Sequence, residues 1–248
     1  MAKIRYLKNA PITEAIIDFR IKPPSGIQVS DFLPLTKTLQ DQYPKVKDIR
    51  KFEGRFDFDM KKGKALKSSL EETPQGYRCE SDDEKNIVQF KIDGLTFSRL
   101  KPYTRWEDIF AEARRIWDIY ITKISTASVM RLATRYINHI EIPLPIDFSQ
   151  YLTAPPIIPN DLPQSATDFL TRIVVHDTNL DILVNITQAL GKSSKKNHAA
   201  IILDIDAYKQ CELDVNSEDM WLIFGQLHDM KNKIFFGSIT EKTAGLFE

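Results

Sequence analysis

Glycine and cysteine are scarce in this chain, and neither sign of charge prevails. Nine glycines in 248 residues leave little room for loops that cradle phosphates, and no GxSxG, GxGxxG or Walker-type spacing occurs. The familiar nucleotide enzymes are therefore disfavoured. The two cysteines, Cys79 and Cys211, stand far apart with no CxxC spacing. Neither a disulfide framework nor a zinc site is expected, and a reducing compartment fits. Basic and acidic residues number 34 each, so a global attraction to nucleic acid or anionic membrane has no support. No run of about 18 apolar residues suggests a membrane span. The opening MAKIRYLKNAPITE has no apolar stretch of signal-peptide length. The expected location is the cytoplasm, with no membrane partner.

What is present is ordinary globular material, 42% hydrophobic and 27% charged. Alternation predicts a strand over Ile12–Ile21, with Ala15, Ile17, Phe19 and Ile21 on one face. Ser30 or Asp31 can cap a helix reaching Tyr43. A strand at Phe52–Met60 sets Phe52, Phe56, Phe58 and Met60 against Glu53, Arg55, Asp57 and Asp59. Lys61–Pro74 reads as an exposed tip or loop. Strands follow near Gly76–Ser81, Asn86–Asp93 and Leu95–Leu100, with a turn or bulge at Gly94. Thr104-Arg-Trp-Glu107 has the form of a capping box. Behind it runs an apolar stripe through Trp106, Ile109, Phe110, Ala113, Ile116, Trp117, Tyr120, Ile121 and Ile124.

The second half repeats these themes. Val129–Ile142 alternates as a long strand. Pro143–Pro163 holds six of the thirteen prolines and reads as an extended surface connector. Strands at Asp168–His176, Leu180–Leu190 and Ala199–Asp206 precede a helix from Ser217 to about Phe236. Its stripe is Met220, Ile223, Phe224, Leu227, Met230, Ile234 and Phe235. Thr104 follows Asp93 at the same interval as Ser217 follows Asp206, which hints at two similar strand–helix halves. The expected class is α+β, a mainly antiparallel sheet packed by two long amphipathic helices. The expected organisation is an N-terminal α+β half over 1–142, a proline-rich connector over 143–166 and a C-terminal β-β-β-α half over 167–248. The two halves can also close as one compact domain.

Three stretches carry a family resemblance. Leu7-Lys-Asn-Ala-Pro-Ile-Thr-Glu-Ala-Ile-Ile-Asp-Phe-Arg20 resembles the opening signature of a sporadically distributed, uncharacterised prokaryotic family. Arg131-Leu-Ala-Thr-Arg-Tyr-Ile-Asn138 is similar to its central strand. Leu227-His228 through Lys233-Ile-Phe-Phe-Gly-Ser-Ile-Thr240 is similar to its C-terminal helix and following turn. The resemblance implies no activity and no catalytic residues. A patchy distribution implies an accessory role, such as phage defence or a toxin–antitoxin partnership.

The residues themselves offer several constellations. Arg131, Arg135 and His139 share one strand face with Glu141, and two arginines near a histidine suit phosphate or another anion. Pairing of these arginines with Glu53, Asp57 and Asp59 across the sheet is the more frequent outcome for such a face. Asn9, Pro11 and Glu14 can form a ligand or acid site, or simply a structural turn. Asp204 and Asp206 form a DxD pattern without the histidines or second acidic cluster that a metal site needs. His139, His176, His198 and His228 are dispersed, although His228-Asp229 can orient a base. Lys61, Lys62, Lys64, Lys67 and Lys192, Lys195, Lys196 can touch nucleic-acid backbone, but no interleaved aromatics accompany them.

The resulting expectation is a non-catalytic binding or adaptor protein acting on a protein partner or as a homo-oligomer, with no cofactor, metal or catalytic residue. The alternative is a sensor or enzyme binding a phosphate-containing ligand or nucleic acid through Arg131, Arg135 and His139. Arginines locked into internal ion pairs would count against that alternative.

Overall fold

Ala15, Ile17, Phe19 and Ile21 in β1 (Ile12–Lys22) are buried, whereas Glu14, Ile16, Asp18 and Arg20 are only partly covered. This period of two sets the plan of the whole protein: one sheet face carries the core and the other stays open. In the structure, a computed structural model, every residue is described except 60–63, 126, 146 and 165; for 53–59 and 64–71 the description covers the backbone alone.

The described strands are β2 (Lys45–Asp59), β3 (Lys64–Glu80), β4 (Asn86–Lys91), β5 (Gly94–Leu100), β6 (Ser128–Pro143), β7 (Leu170–Asp177), β8 (Ile182–Gly191) and β9 (His198–Asp214). With β1 they form one antiparallel sheet in the order β2-β3-β4-β5-β1-β6-β9-β8-β7. The sheet passes from β1 to β6 and on to β9 without a break, joining 1–142 to 167–248. The short α1 (Leu33–Thr38), the long α2 (Trp106–Ile124) and α3 (Asp219–Ser238), and the short α4 (Glu241–Ala244) complete the fold. It is α+β with two long helices, as the periodicity predicts.

The two flanks share a connectivity. On one side β1 leads to a meander whose last strand, β5, returns beside β1 and runs on into α2. On the other, β6 leads to a meander whose last strand, β9, returns beside β6 and runs on into α3. The equal intervals in the sequence align β4 with β9, but the topology matches β5 to β9. Both long helices bury their apolar stripes on the same sheet face. Phe19 of β1 sits between them, stacked on Trp117 of α2 at 4.3 Å and edge-on to Phe224 of α3 at 4.8 Å. Trp117 donates its indole N–H to the Val215 carbonyl at 3.1 Å, so the polar edge of this buried ring is satisfied. At the β4–β5 turn a side chain on Gly94 would meet the Phe19 carbonyl oxygen at 2.0 Å, with φ at +157°. Only glycine lets β5 close up on β1 there.

Several local expectations are corrected. The capping box does not form: the helix is capped by Arg105, in extended backbone and without a side-chain cap bond. Arg105 instead holds Asp108 in the first turn. The helix expected up to Tyr43 is a 3-10 turn, Val29–Phe32, and the six residues of α1, with Pro34 in the first turn where it costs nothing. β2 begins at Lys45 rather than Phe52, and β3 already begins at Lys64, so most of the expected loop to Pro74 is ladder-paired. Phe52, expected on the inward face, is exposed; the side chains expected over 53–60, and those of the lysines at 61, 62, 64 and 67, lie outside the described residues. The connector after Pro143 is not wholly superficial: Tyr151 and Leu152 are buried, and Leu152 bridges to Ile239.

Candidate functional site

Arg131, Arg135 and His139 do share the open face of β6, since alternation sends Leu132, Thr134, Tyr136 and Asn138 into the core. The arginines are spoken for. Arg135 forms a two-pronged pair with Asp204, at 2.9 and 2.6 Å. Arg131 reaches both oxygens of Asp206 at 3.2 and 3.1 Å and Asp18 at 3.4 Å, with its guanidinium 4.4 Å above the Tyr208 ring. Asp18 also takes bonds from Arg20 and Thr96, and Asp206 one from Asn185, which in turn holds Arg172. A polar chain thus crosses the open face from β5 to β7.

The pairing expected from Glu53, Asp57 and Asp59 is corrected. β2 is an outer strand with β3, β4, β5 and β1 between it and β6. At about 4.8 Å per strand the gap is on the order of 24 Å. The counter-charges are Asp204 and Asp206, which the sequence offers as a metal pattern. Among the described residues no cluster of three His, Cys, Asp or Glu side chains could hold a metal ion. His139 lies apart from the arginines' partners, its Nε2 at 3.2 Å from the Lys192 carbonyl oxygen. Glu141 is held by Ser193, Ser194 and Lys195, which keep its carboxyl down at about 2.

The Asn9–Glu14 grouping also comes apart. Asn9 donates its backbone N–H to the Phe247 carbonyl at 2.9 Å, tying the two ends of the fold, while Glu14 stands on the open face of β1. The same tie is built from Ala2, whose N–H reaches the carbonyls of Phe236 and Ile239, and from Arg5, paired to Glu241 and Glu248.

This clasp is one wall of a pocket of about 490 Å³. Residues 4–12 form one side, 103–107 at the start of α2 another, and α3 with Asn138 the floor. Trp106 stacks flat on His228, with centroids 4.4 Å apart and planes 9° from parallel. Burial and the nearby Lys231 hold the His228 imidazole down at about 4. Lys231 is the unusual member. It is 6% exposed, and its Nζ meets Asn232 Oδ1 at 2.7 Å and the Tyr136 ring at 3.8 Å.

Both contacts are neutral, and among the described residues no carboxylate lies within ion-pair distance of Lys231. Burial pushes the amine down to about 7, with Asp229 the only charge pulling it up. Behind it, the Tyr136 hydroxyl is buried without a hydrogen-bond partner among the described residues. Tyr103, whose ring is edge-on to Tyr136 at 5.9 Å, opens onto the same pocket.

No protein-family model matches the chain, and no curated protein matches it. Among the described residues no helix is long and apolar enough to cross a membrane.

Sequence reasoning names His228 but misses Lys231, Tyr103, Tyr136 and Asn138 as a group. One signal for them is local. Met220, Phe224, Leu227, Lys231 and Phe235 follow each other at helical spacing, so a lysine occupies a position of the apolar stripe.

Proposed function

We propose that the protein is a binding module for a small molecule with a flat apolar body and an electron-rich polar end, held in the pocket between residues 4–12, the start of α2 and α3. One observation carries this reading: a lysine amine, almost wholly buried and lacking a carboxylate, lines a pocket with aromatic walls. An uncompensated buried charge is costly, and a ligand oxygen beside Nζ would repay it. The volume lies in the range of small-molecule sites. Of the three stretches that carry the resemblance, 7–12, Asn138 and residues of 228–236 line the pocket. The reading moves the anion-binding alternative from the β6 face, where aspartates already serve the arginines, to the pocket.

A thermal-shift panel of aromatic carboxylates and carbonyl compounds tests it, run on the native chain and on Thr104→Trp, which fills the mouth from an exposed position. Stabilisation confined to the native chain is expected. Equal shifts in both, or none in either, would remove the pocket from consideration.

A second reading, self-association, rests on the edge strand β7. Leu170, Ile173 and Val174 are 73%, 55% and 52% exposed there, on a strand with a free outer edge. A two-fold normal to the sheet keeps faces, so a second copy can pair only residues of like parity. Centring on Ile173 sets Arg172 opposite Val174 and Leu170 opposite His176, with no like charges facing. Sedimentation of the native chain as a dimer and of Ile173→Lys as a monomer is expected; a monomeric native chain at high concentration rejects it.

A further inference from the structure

Lys231 differs from an anion-binding lysine in one respect: among the described residues no carboxylate is paired with it, and the groups that touch it are neutral. Its contacts are an amide oxygen and the face of a phenol ring. Beside it on α3 lies His228, across the pocket stand Trp106 and Tyr103, and two cations at the rim, Arg5 and Arg105, are already paired with Glu241, Glu248 and Asp108. Lys8 stands exposed at the same rim. A largely desolvated primary amine on a residue that lines a pocket is the setting in which lysine acts as a nucleophile.

Resting on the pocket reading above, we infer that Lys231 captures the carbonyl group of an aromatic aldehyde or ketone as an imine, with the ligand's ring among the aromatic side chains that line the pocket and any ligand carboxylate toward Lys8. The Nζ lone pair forms a bond to the carbonyl carbon, and the carbonyl π pair moves to oxygen. The nitrogen's extra proton passes to that oxygen, giving a carbinolamine. Loss of water, assisted by a proton taken from solvent, gives the iminium, and the nitrogen returns a proton to solvent. Amine and carbonyl become imine and water, and no oxidant or reductant takes part. Tyr103 and the neutral His228 ring line the pocket where the carbinolamine oxygen forms and can accept or donate hydrogen bonds to it.

At neutral pH the amine, held down at about 7, is half unprotonated. An ordinary lysine is unprotonated to only about one part in a few thousand, so Lys231 is favoured over the exposed lysines.

The test uses para-formylbenzoate as probe and para-(hydroxymethyl)benzoate as its carbonyl-free counterpart. Native chain is incubated with the aldehyde and cyanoborohydride at neutral pH, and the adducts are mapped by peptide mass spectrometry, with calorimetric binding of both compounds alongside. One carboxybenzyl adduct at Lys231, at least about tenfold above any other lysine, is expected. It should be lost in Lys231→Met and suppressed by the alcohol. Lys231→Arg, which keeps a cation, guards against a misfolded methionine variant and should also lose the adduct. Saturable binding of both compounds with no adduct at Lys231 overturns the imine and leaves the pocket standing. Labelling spread evenly over the lysines with no saturable binding overturns both.

Discussion

Arg135 on β6 reaches diagonally to Asp204 on β9, past Asp206 directly opposite it, with two hydrogen bonds at 2.9 and 2.6 Å on a face that remains open to solvent. The pair is one end of a diagonal ladder whose other rung joins Arg131 to Asp206 and Asp18. The two rungs differ in burial, and their removal should differ accordingly. A double-mutant cycle with Arg135→Gln and Asp204→Asn should give a coupling of at most about 1 kcal/mol, as for exposed pairs. Arg131→Gln removes the cation shared by Asp18 and Asp206, which keep only Arg20, Thr96 and Asn185 of the partners described above, and should cost about 1–3 kcal/mol. Urea unfolding measures both. Neither change should alter binding of an aromatic carboxylate to the pocket; loss of binding would return attention to the β6 face.

Lys231 makes stability depend on pH in a definite direction. Its folded pKa, about 7, lies below the ordinary lysine value. The unfolded chain therefore holds more protons between about 7 and 10.4, and stability rises across that window. The penalty is fully present below pH 7. Asp229 and His228 on α3, Tyr136 on β6, Tyr103 and Glu107 near α2, and Arg5 and Lys8 on the N-terminal wall share this environment. Lys231→Met should be more stable than the native chain at pH 6, by up to several kcal/mol, since each tenfold change in proton affinity is worth about 1.4 kcal/mol. The gap should close by pH 10. Denaturant titrations at three pH values decide it.

His228 has the same sign in a lower window. Burial and Lys231 depress it to about 4, so it takes up its proton on unfolding, and stability falls as pH drops from about 6.5 to 4. His228→Phe keeps a ring against Trp106 and removes the proton. It should hold about 1–3 kcal/mol more of its neutral stability at pH 4 than the native chain does. Asp229, 3.7 Å away, is exposed and offsets little of this.

Phe19 packs between the two long helices, which also meet directly at Trp106–His228 and Phe110–Trp221. Phe19→Ala should cost about 3–5 kcal/mol, and Phe19→Leu less, because it retains volume. Trp117 fluorescence should report the same transition as circular dichroism, since the ring rests on Phe19.

How much of this is legible in the sequence depends on the range of the forces involved. β1, β4, β6, β7, β8 and both long helices are legible because alternation and stripes are local consequences of a single buried face. Strand order is not, since β1 meets β6 across more than a hundred residues and nothing local marks that pairing. For the same reason the β6 arginines point, in sequence, to partners on β2, when their aspartates lie on adjacent β1 and β9. The capping box fails because Thr-x-x-Glu states what can form, and the chain approaching α2 presents Arg105 instead. The pocket is least legible. Lys231 sits on an apolar stripe, which is a local anomaly, but its burial comes from the aromatic ring of Tyr136 and from a wall more than two hundred residues away.

That distant wall has a kinetic side. Residues 4–12 and α3 close a loop of about two hundred residues or more, and contacts at such separation are entropically late to form. The cavity therefore comes into being only once the sheet already stands, and a ligand that touches both walls acts as a latch on the final step. In pulse-labelling hydrogen exchange, the amides of Ala2 and Asn9 should gain protection after those of β1 and β6. Added ligand should slow their reopening while leaving the rate at which the sheet itself assembles unchanged.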